Sequence, residues 1–383
     1  VTVADRGGKP CAVLPAEAWV LAMASLPGVG PARLAALVAA GPPATTWARL
    51  ASGERVVEPV GSGRDLVRRW RMAAASFDVA ACWERHRRAG VGIITPTSPG
   101  WPGDAFDSEP VPPELLLWHG DIGALTGARV AVVGTRSCTR YGLDMATDLG
   151  RTLAAAGVSV VSGLALGIDA AVHQAVVEVG GAPPVAVVGS GLDVVYPSAN
   201  TGLWRAVVAS GLVLTEAPLG TRPEPWRFPQ RNRIIAALAD VVVVVESHQR
   251  GGAVITARHA LEQGRTVLAI PGALGNPASA GCHDLIADGA GIYRGSDDVL
   301  VALGMTPGAR RRAGVPQPAP AGIDGVVLAA MPWTPATLGD LVEATGTSVA
   351  EVALATDRLV AGGWLERSGG WFQRVAGGPK APQ

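Results

Sequence analysis

The sequence predicts an α/β protein: a central parallel sheet covered on both faces by helices, with a helical domain before it and a small, mostly helical domain after it. Three observations carry this expectation. The middle of the chain alternates short β-branched runs with Ala-rich stretches of helical texture. Those runs are apolar throughout rather than alternating in polarity, as strands covered on both faces are. Each run also closes on Gly, Ser or Pro punctuation. A chain of 383 residues exceeds one ordinary core and implies two or three domains. With 48% hydrophobic and 17% charged residues it belongs to the globular class.

In order along the chain, residues 15–88 read as helical. Apolar residues recur at helical spacing in AWVLAMASL and RLAALVAA, and the turn Leu26-Pro27-Gly28-Val29-Gly30-Pro31-Ala32-Arg33 lies between them. Residues 89–304 hold the strands RVAVV, VSVVS, PVAVV, LVLTE, VVVVVE and TVLAI, separated by helical stretches. That alternation is the signature of a Rossmann-like parallel sheet. Residues 305–321, rich in Pro, Gly and Arg, read as a flexible or extended linker. Residues 322–376 read as three helices and a short β-hairpin, the outline of a winged helix, with Ser348 as N-cap and Glu351 completing a capping box.

Charge and cysteine usage exclude several classes. Lys+Arg 32 balances Asp+Glu 32, so a nucleic-acid site must come from local clustering rather than bulk charge. The basic residues are overwhelmingly arginine, which suits multi-donor contacts to phosphate. Cys11, Cys82, Cys138 and Cys282 are scattered, without metal-ligand or disulfide spacing, and read as reduced thiols of a cytoplasmic protein. The apolar stretch Ala16–Leu26 is interrupted by Glu17 and runs into a Pro-Gly-Val-Gly turn, so export is not expected. No run is long enough to span a bilayer.

The candidate sites are loops and helix starts. The turn around Gly28 and Gly30 resembles a helix-hairpin-helix; it serves either as a grip on DNA phosphates or as a packing turn and protein contact. Ligands bind open parallel sheets at the C-terminal ends of the strands. After RVAVV come Gly134, Thr135 and Arg136, which offer close backbone approach, a hydroxyl and a charge. After VSVVS comes a second glycine loop from Gly163 to Asp169. Neither loop is a dinucleotide or P-loop fingerprint, so no cofactor is expected. The strongest signal is Trp226-Arg227-Phe228-Pro229-Gln230-Arg231-Asn232-Arg233, expected as a charged loop just before a helix. From Arg222 to Arg233 four arginines face one acid, Glu224, with two aromatics between them. Cations along a backbone and flat rings under unstacked bases hold single-stranded nucleic acid in this way. Gln249–Ala257 forms another glycine turn and helix start, a candidate anion nest. No carboxylate pair, nucleophile elbow or metal set is discernible, so neither catalytic nor metal-binding residues are assigned; His173 reads as structural.

Taken in order, these stretches resemble the DprA (Smf) family. The matching segments are Ala131–Arg136, Val161–Asp169 with His173, Gly189–Asp193 with Tyr196-Pro197, Thr215–Pro218, Phe228–Ile235, Gly252–Ala257 and Ala269–Gly272. The resemblance implies a Rossmann-like domain that forms a homodimer, binds single-stranded DNA and loads the RecA recombinase onto it during natural transformation and recombination, without catalysis. Carried over by position, it implies that Gly134, Thr135 and Arg136 meet phosphate and that Ser162 and Gly163 offer backbone donors. It further implies that Phe228 stacks a base, that Arg231, Asn232 and Arg233 line the strand's path, and that Gly252 and Thr256 complete the cradle. Two segments depart from the family pattern: Arg250–Ala257 has lost a hydroxyl and gained a cation, and Gly281–Ile286 lacks a common Asn.

Two other readings stand beside this one. The same superfamily includes nucleotide-binding proteins and nucleoside-monophosphate phosphoribohydrolases, whose glycine loop carries a glutamate; Arg250–Arg258 carries none. A winged helix could instead be the DNA reader, but Arg358, Arg367 and Arg374 face Asp324, Asp340, Glu343, Glu351, Asp357 and Glu366, a net negative balance unsuited to phosphate.

Overall fold

A computed structural model describes residues 14–54, 56, 63–305 and 320–375. Cys11, residues 306–319 of the expected linker and residue 376 lie outside the described residues. The chain divides into two compact units, Val1–Gly308 and Ala309–Gln383.

Among the described residues the first unit opens on five helices: α1 (Ala16–Ala24), α2 (Pro31–Ala39), α3 (Pro43–Ser52), α4 (Arg64–Ser76) and α5 (Val79–Arg88). Two strands, β1 (Gly92–Ile94) and β2 (Leu116–Gly120), flank the short helix α6 (Gly103–Phe106). The alternating region then runs β3 (Arg129–Val133), α7 (Arg140–Ala155), β4 (Ser159–Ser162), α8 (Ile168–Val179), β5 (Pro184–Val187), α9 (Thr201–Ser210), β6 (Leu212–Thr215), α10 (Arg227–Leu238), β7 (Val241–Val244), α11 (Gly252–Glu262) and β8 (Thr266–Ala269). It closes with α12 (Ala280–Ala287), β9 (Gly291–Ile292) and α13 (Ser296–Ala302).

The nine strands form one sheet in the order β1-β2-β6-β5-β4-β3-β7-β8-β9. All six predicted strands are present, and they pair in parallel along β6-β5-β4-β3-β7-β8. β1 and β2 add an antiparallel edge that the parallel expectation did not contain. Alternate side chains sort the strands onto two faces. Ala131, Val133, Val242 and Val244 turn toward α10, α11 and α12. Val130, Val132, Val241 and Val243 turn toward α7, α8 and α13. On that second side, Leu117, Val213 and Ala186 pack instead beneath α1 to α5, in one core with Leu21, Trp70 and Val79. The region 15–88 therefore shares its core with the sheet rather than closing on itself. No helix among the described residues is long and apolar enough to cross a membrane.

The second unit holds α14 (Gly322–Ala330), β10 (Ala336–Thr337), α15 (Leu338–Thr345), α16 (Val349–Ala361), β11 (Leu365–Ser368) and β12 (Trp371–Arg374). Its strands pair antiparallel in the order β10-β12-β11 around a core that includes Val327, Leu341, Val352, Leu359 and Phe372. The Ser348–Glu351 capping box opens α16 as expected, and Thr337 with Asp340 makes a second one at α15.

Candidate nucleic-acid interface

The chain runs outward from β3 in both directions, so the C-terminal ends of β3, β4 and β5 lie beside the topological switch, where open α/β sheets bind ligands. A small pocket opens there, about 40 Å³, with Arg136, Gly163, Ser190, Tyr196, Phe228 and Arg231 in its wall. Phe228 lies against Tyr196 in a stacked pair, ring centroids 5.4 Å apart and planes tilted by 30°. The exposed Arg136 guanidinium sits over the same Phe228 ring at 5.1 Å. Tyr196 belongs to the Tyr196-Pro197 motif, and only the fold brings it to Phe228.

The segment Trp226–Arg233 corrects one expectation. Rather than a loop before a helix, Arg227 to Arg233 forms the first two turns of α10. Pro229 permits this because it occupies the first turn, where its missing N–H has no helical partner to lose. Burial follows: Arg231, Asn232 and Arg233 are 8%, 7% and 5% exposed, so none lies in an open strand path as a solvated cation. Successive helical residues point about 100° apart, which sends the three side chains to different partners.

Arg231 reaches under the pocket. Its Nη1 donates to the carbonyl oxygens of Gly163, at 2.7 Å, and Val187, and its Nε donates to Asn232 Oδ1 at 2.9 Å. Its Nη2 has no hydrogen-bond partner among the described residues. Burial lowers the Arg231 pKa to about 10, opposed by the charge of Asp169. The side chain therefore stays cationic at neutral pH. The buried Asp169 accepts from the Gly163 and Ala165 N–H groups at 3.2 and 3.4 Å; burial raises its pKa and Arg231 counters the shift. Gly163 is where glycine is required: a Cβ there would stand 2.2 Å from an Arg231 guanidinium nitrogen.

Arg233 points elsewhere. Its Nη2 donates to both carboxylate oxygens of Glu216, at 2.6 and 2.5 Å. Asn232 donates from Nδ2 to the Gly252 carbonyl at 3.1 Å, tying α10 to the start of α11. Thr256 is 1% exposed, and Gly252 and Thr256 are not in the pocket wall. Ser162 is likewise spent, its hydroxyl donating to the Val132 carbonyl at 2.7 Å. Gly134 closes against Ile168, and the Thr135 N–H donates to the Glu246 carbonyl at 2.8 Å. Glu246, which the sequence reading passed over, also accepts from the Thr139 N–H and hydroxyl at 2.8 and 2.5 Å, fixing the start of α7. At Gly167, φ is +76°, and the glycine lets the loop after β4 lean on the Thr135 and Arg136 carbonyls. His173 is fully buried beneath this loop, its Nε2 3.3 Å from the Val185 carbonyl; burial brings its pKa down to about 4, so it is neutral at physiological pH.

The structure thus brings together Arg136, Gly163, Phe228 and Arg231. It sets Arg233, Gly252, Thr256 and the Ser162 hydroxyl apart from the pocket. A family model described as DNA recombination-mediator protein A matches residues 92–304, the whole of this sheet and its loops. The chain belongs to that family. A Smf protein of Synechocystis is 37% identical over 230 residues, an alignment that takes in 58% of this chain and 57% of that protein. Among solved structures, DNA processing protein A of Streptococcus pneumoniae superposes with a TM-score of 0.62 at 30% identity, covering 76% of this chain and 98% of that one. DNA processing protein A of Helicobacter pylori, whose structure was described for a unique single-stranded DNA binding mode, superposes with a TM-score of 0.50 at 28% identity, covering 56% and 95%. The pocket with Arg136, Phe228 and Arg231 lies wholly inside the segment that the recombination-mediator family shares.

Proposed function

We propose that this protein binds single-stranded DNA in the pocket under Arg136 and presents it, as a homodimer through the Rossmann-like domain, to the RecA recombinase. One observation carries the reading. An exposed arginine and a stacked aromatic pair share one pocket wall with a buried arginine whose Nη2 has no hydrogen-bond partner among the described residues. Arg136 and the Arg231 Nη2 supply charge for a phosphate, while Phe228 and Tyr196 supply a flat surface for an unstacked base. Gly163 leaves room for the Arg231 guanidinium, and Asp169 and Asn232 hold Arg231 in place. Residues implied by the resemblance but turned inward, Ser162, Asn232, Arg233, Gly252 and Thr256, act here as supports for the residues that touch DNA. The action is one of holding and handing over, with no bond broken.

The test is fluorescence anisotropy of an end-labelled oligonucleotide at two salt concentrations, for wild type, Arg136→Ala and Phe228→Ala, with duplex as competitor. We expect preference for the single strand, weaker binding in both variants, and a log–log salt slope of about −0.7 per phosphate neutralised. Binding untouched by either substitution would remove the pocket from the account. RecA filament assembly on oligonucleotides coated by a single-strand-binding protein, with and without this chain, tests the loading step.

A further inference from the structure

We propose that the cleft beneath the turn at residues 26–31 is a second nucleotide subsite, which takes the phosphate and sugar next to the base stacked on Phe228. This rests on the single-strand reading above and extends it to the helical region. The cleft, about 570 Å³, lies between that turn and the segment from Thr215 through the first turns of α10. A volume of that order suits a ligand of nucleotide size. Val188, Gly189 and Arg231 line both this cleft and the aromatic pocket, so the two cavities meet at the buried Arg231. A strand occupies both at once, whereas a free nucleotide fills one.

Its electrostatics favour an anion. Arg85, Arg222, Arg227 and Arg231 stand in its wall against Glu216 and Glu224. Both acids are already engaged, Glu216 by Arg233 and Glu224 by Arg227 at 3.0 Å. Arg222 is exposed and has no carboxylate within ion-pair distance among the described residues, and Arg231 is 8% exposed with Nη2 unpartnered. The opposite wall is the turn from Leu26 to Pro31. These walls are fixed before any ligand arrives. Trp70 Nε1 donates to the Pro27 carbonyl at 2.9 Å and Arg33 to the Gly28 carbonyl at 2.8 Å. Across the cleft, Arg85 donates to the Leu219 carbonyl at 3.1 Å, while the Leu219 N–H donates to His86 Nε2 at 3.0 Å.

Two substitutions test this on the full chain. Gly30 is the N-cap of α2, with φ −106° and ψ −179°, and a Cβ there meets nothing within 4 Å. Gly30→Asp therefore supplies a favoured N-cap while placing a carboxylate in the cleft wall. Arg222→Glu reverses the open cation at the other wall. Thermal melting first establishes that each variant folds. Anisotropy is then measured with oligothymidylates of increasing length, with Phe228→Ala as reference and thymidine monophosphate as competitor. The expected result is a loss that grows with length to about tenfold, with the salt slope reduced by about 0.7 for the phosphate no longer held. Variants that match wild type at every length, while Phe228→Ala loses binding, would overturn the subsite and leave the single-strand function standing. Wild type that binds no oligonucleotide would overturn both. Thymidine monophosphate displacing a long oligonucleotide as readily as the shortest one would assign the cleft to a free nucleotide, against the proposal.

Discussion

Both units of this chain lay an arginine over an aromatic ring, yet only the first has one without a hydrogen-bond or carboxylate partner among the described residues. In the first unit Arg136 sits 5.1 Å from the Phe228 centroid and has no carboxylate partner among the described residues. In the second, Arg374 lies 4.9 Å from the Trp333 centroid while its guanidinium donates to the Met331 carbonyl at 2.9 Å and to that of Leu328. Arg358 is held by Asp324 at 2.5 Å, and Arg367 by Asp357 at 3.6 Å. Arg358, Arg367 and Arg374 are thus each engaged within their own unit. An arginine beside an aromatic therefore does not mark a site; an arginine left unsatisfied beside one does. Within α10, Arg233 is held by the Glu216 carboxylate, whereas Arg231 binds only neutral acceptors and lines the pocket.

The largest expected effect breaks that inner contrast. Arg233→Met removes the cation of a buried ion pair and leaves the Glu216 carboxylate uncompensated. It should cost about 3–5 kcal/mol in denaturant unfolding, and the Glu216 charge it frees in the cleft wall should weaken oligonucleotide binding alongside. Selective loss of affinity at unchanged stability would instead place Arg233 in the strand's path.

Next comes Gly163→Ala. Its Cβ would collide with the Arg231 guanidinium, so the side chain must move or the loop after β4 must shift. We expect roughly 1–3 kcal/mol of destabilisation together with weaker oligonucleotide binding, read by urea unfolding and anisotropy on the same preparation.

The buried His173 sharpens the account through pH. Its folded pKa, about 4, is below the ordinary value near 6.5, so the unfolded chain binds the proton first as pH falls. Stability from the neutral ring is complete above pH 6.5 and is lost as pH drops from there toward 4. Between pH 7 and 5 the stability difference between wild type and His173→Gln should shrink by about 2 kcal/mol in paired unfolding titrations. A difference independent of pH would mean that the ring titrates normally.

Phe228→Ala should weaken binding by about 1–3 kcal/mol, the usual scale of base stacking, with little change in melting temperature. The smallest effect is expected in the second unit: Arg358→Ala and Arg374→Ala should leave oligonucleotide affinity within error.

Most of the sheet was legible because its strands are buried on both faces, and continuous apolar runs such as Val241–Val245 have few other uses. The antiparallel edge was not, since Gly92–Ile94 is too short to show a period and Leu116–Gly120 follows a proline-rich stretch. At the site, Arg136, Gly163, Phe228 and Arg231 were legible as charge, aromatic and glycine at strand ends. Which arginines are spent was not, because that depends on partners distant in sequence: Glu216 for Arg233, and the Gly163 and Val187 carbonyls for Arg231. Tyr196 joined the site for the same reason, some thirty residues before the ring it stacks on.

The most direct test of the central claim is photocrosslinking with an oligonucleotide carrying 5-iodouracil, followed by peptide mapping on the full chain. The account predicts adducts on the peptides bearing Tyr196 and Phe228, lost in Arg136→Ala under dilute conditions. Adducts confined to Trp333 or Trp371, the exposed aromatics of the second unit, would contradict it and move the DNA site to the other end of the chain.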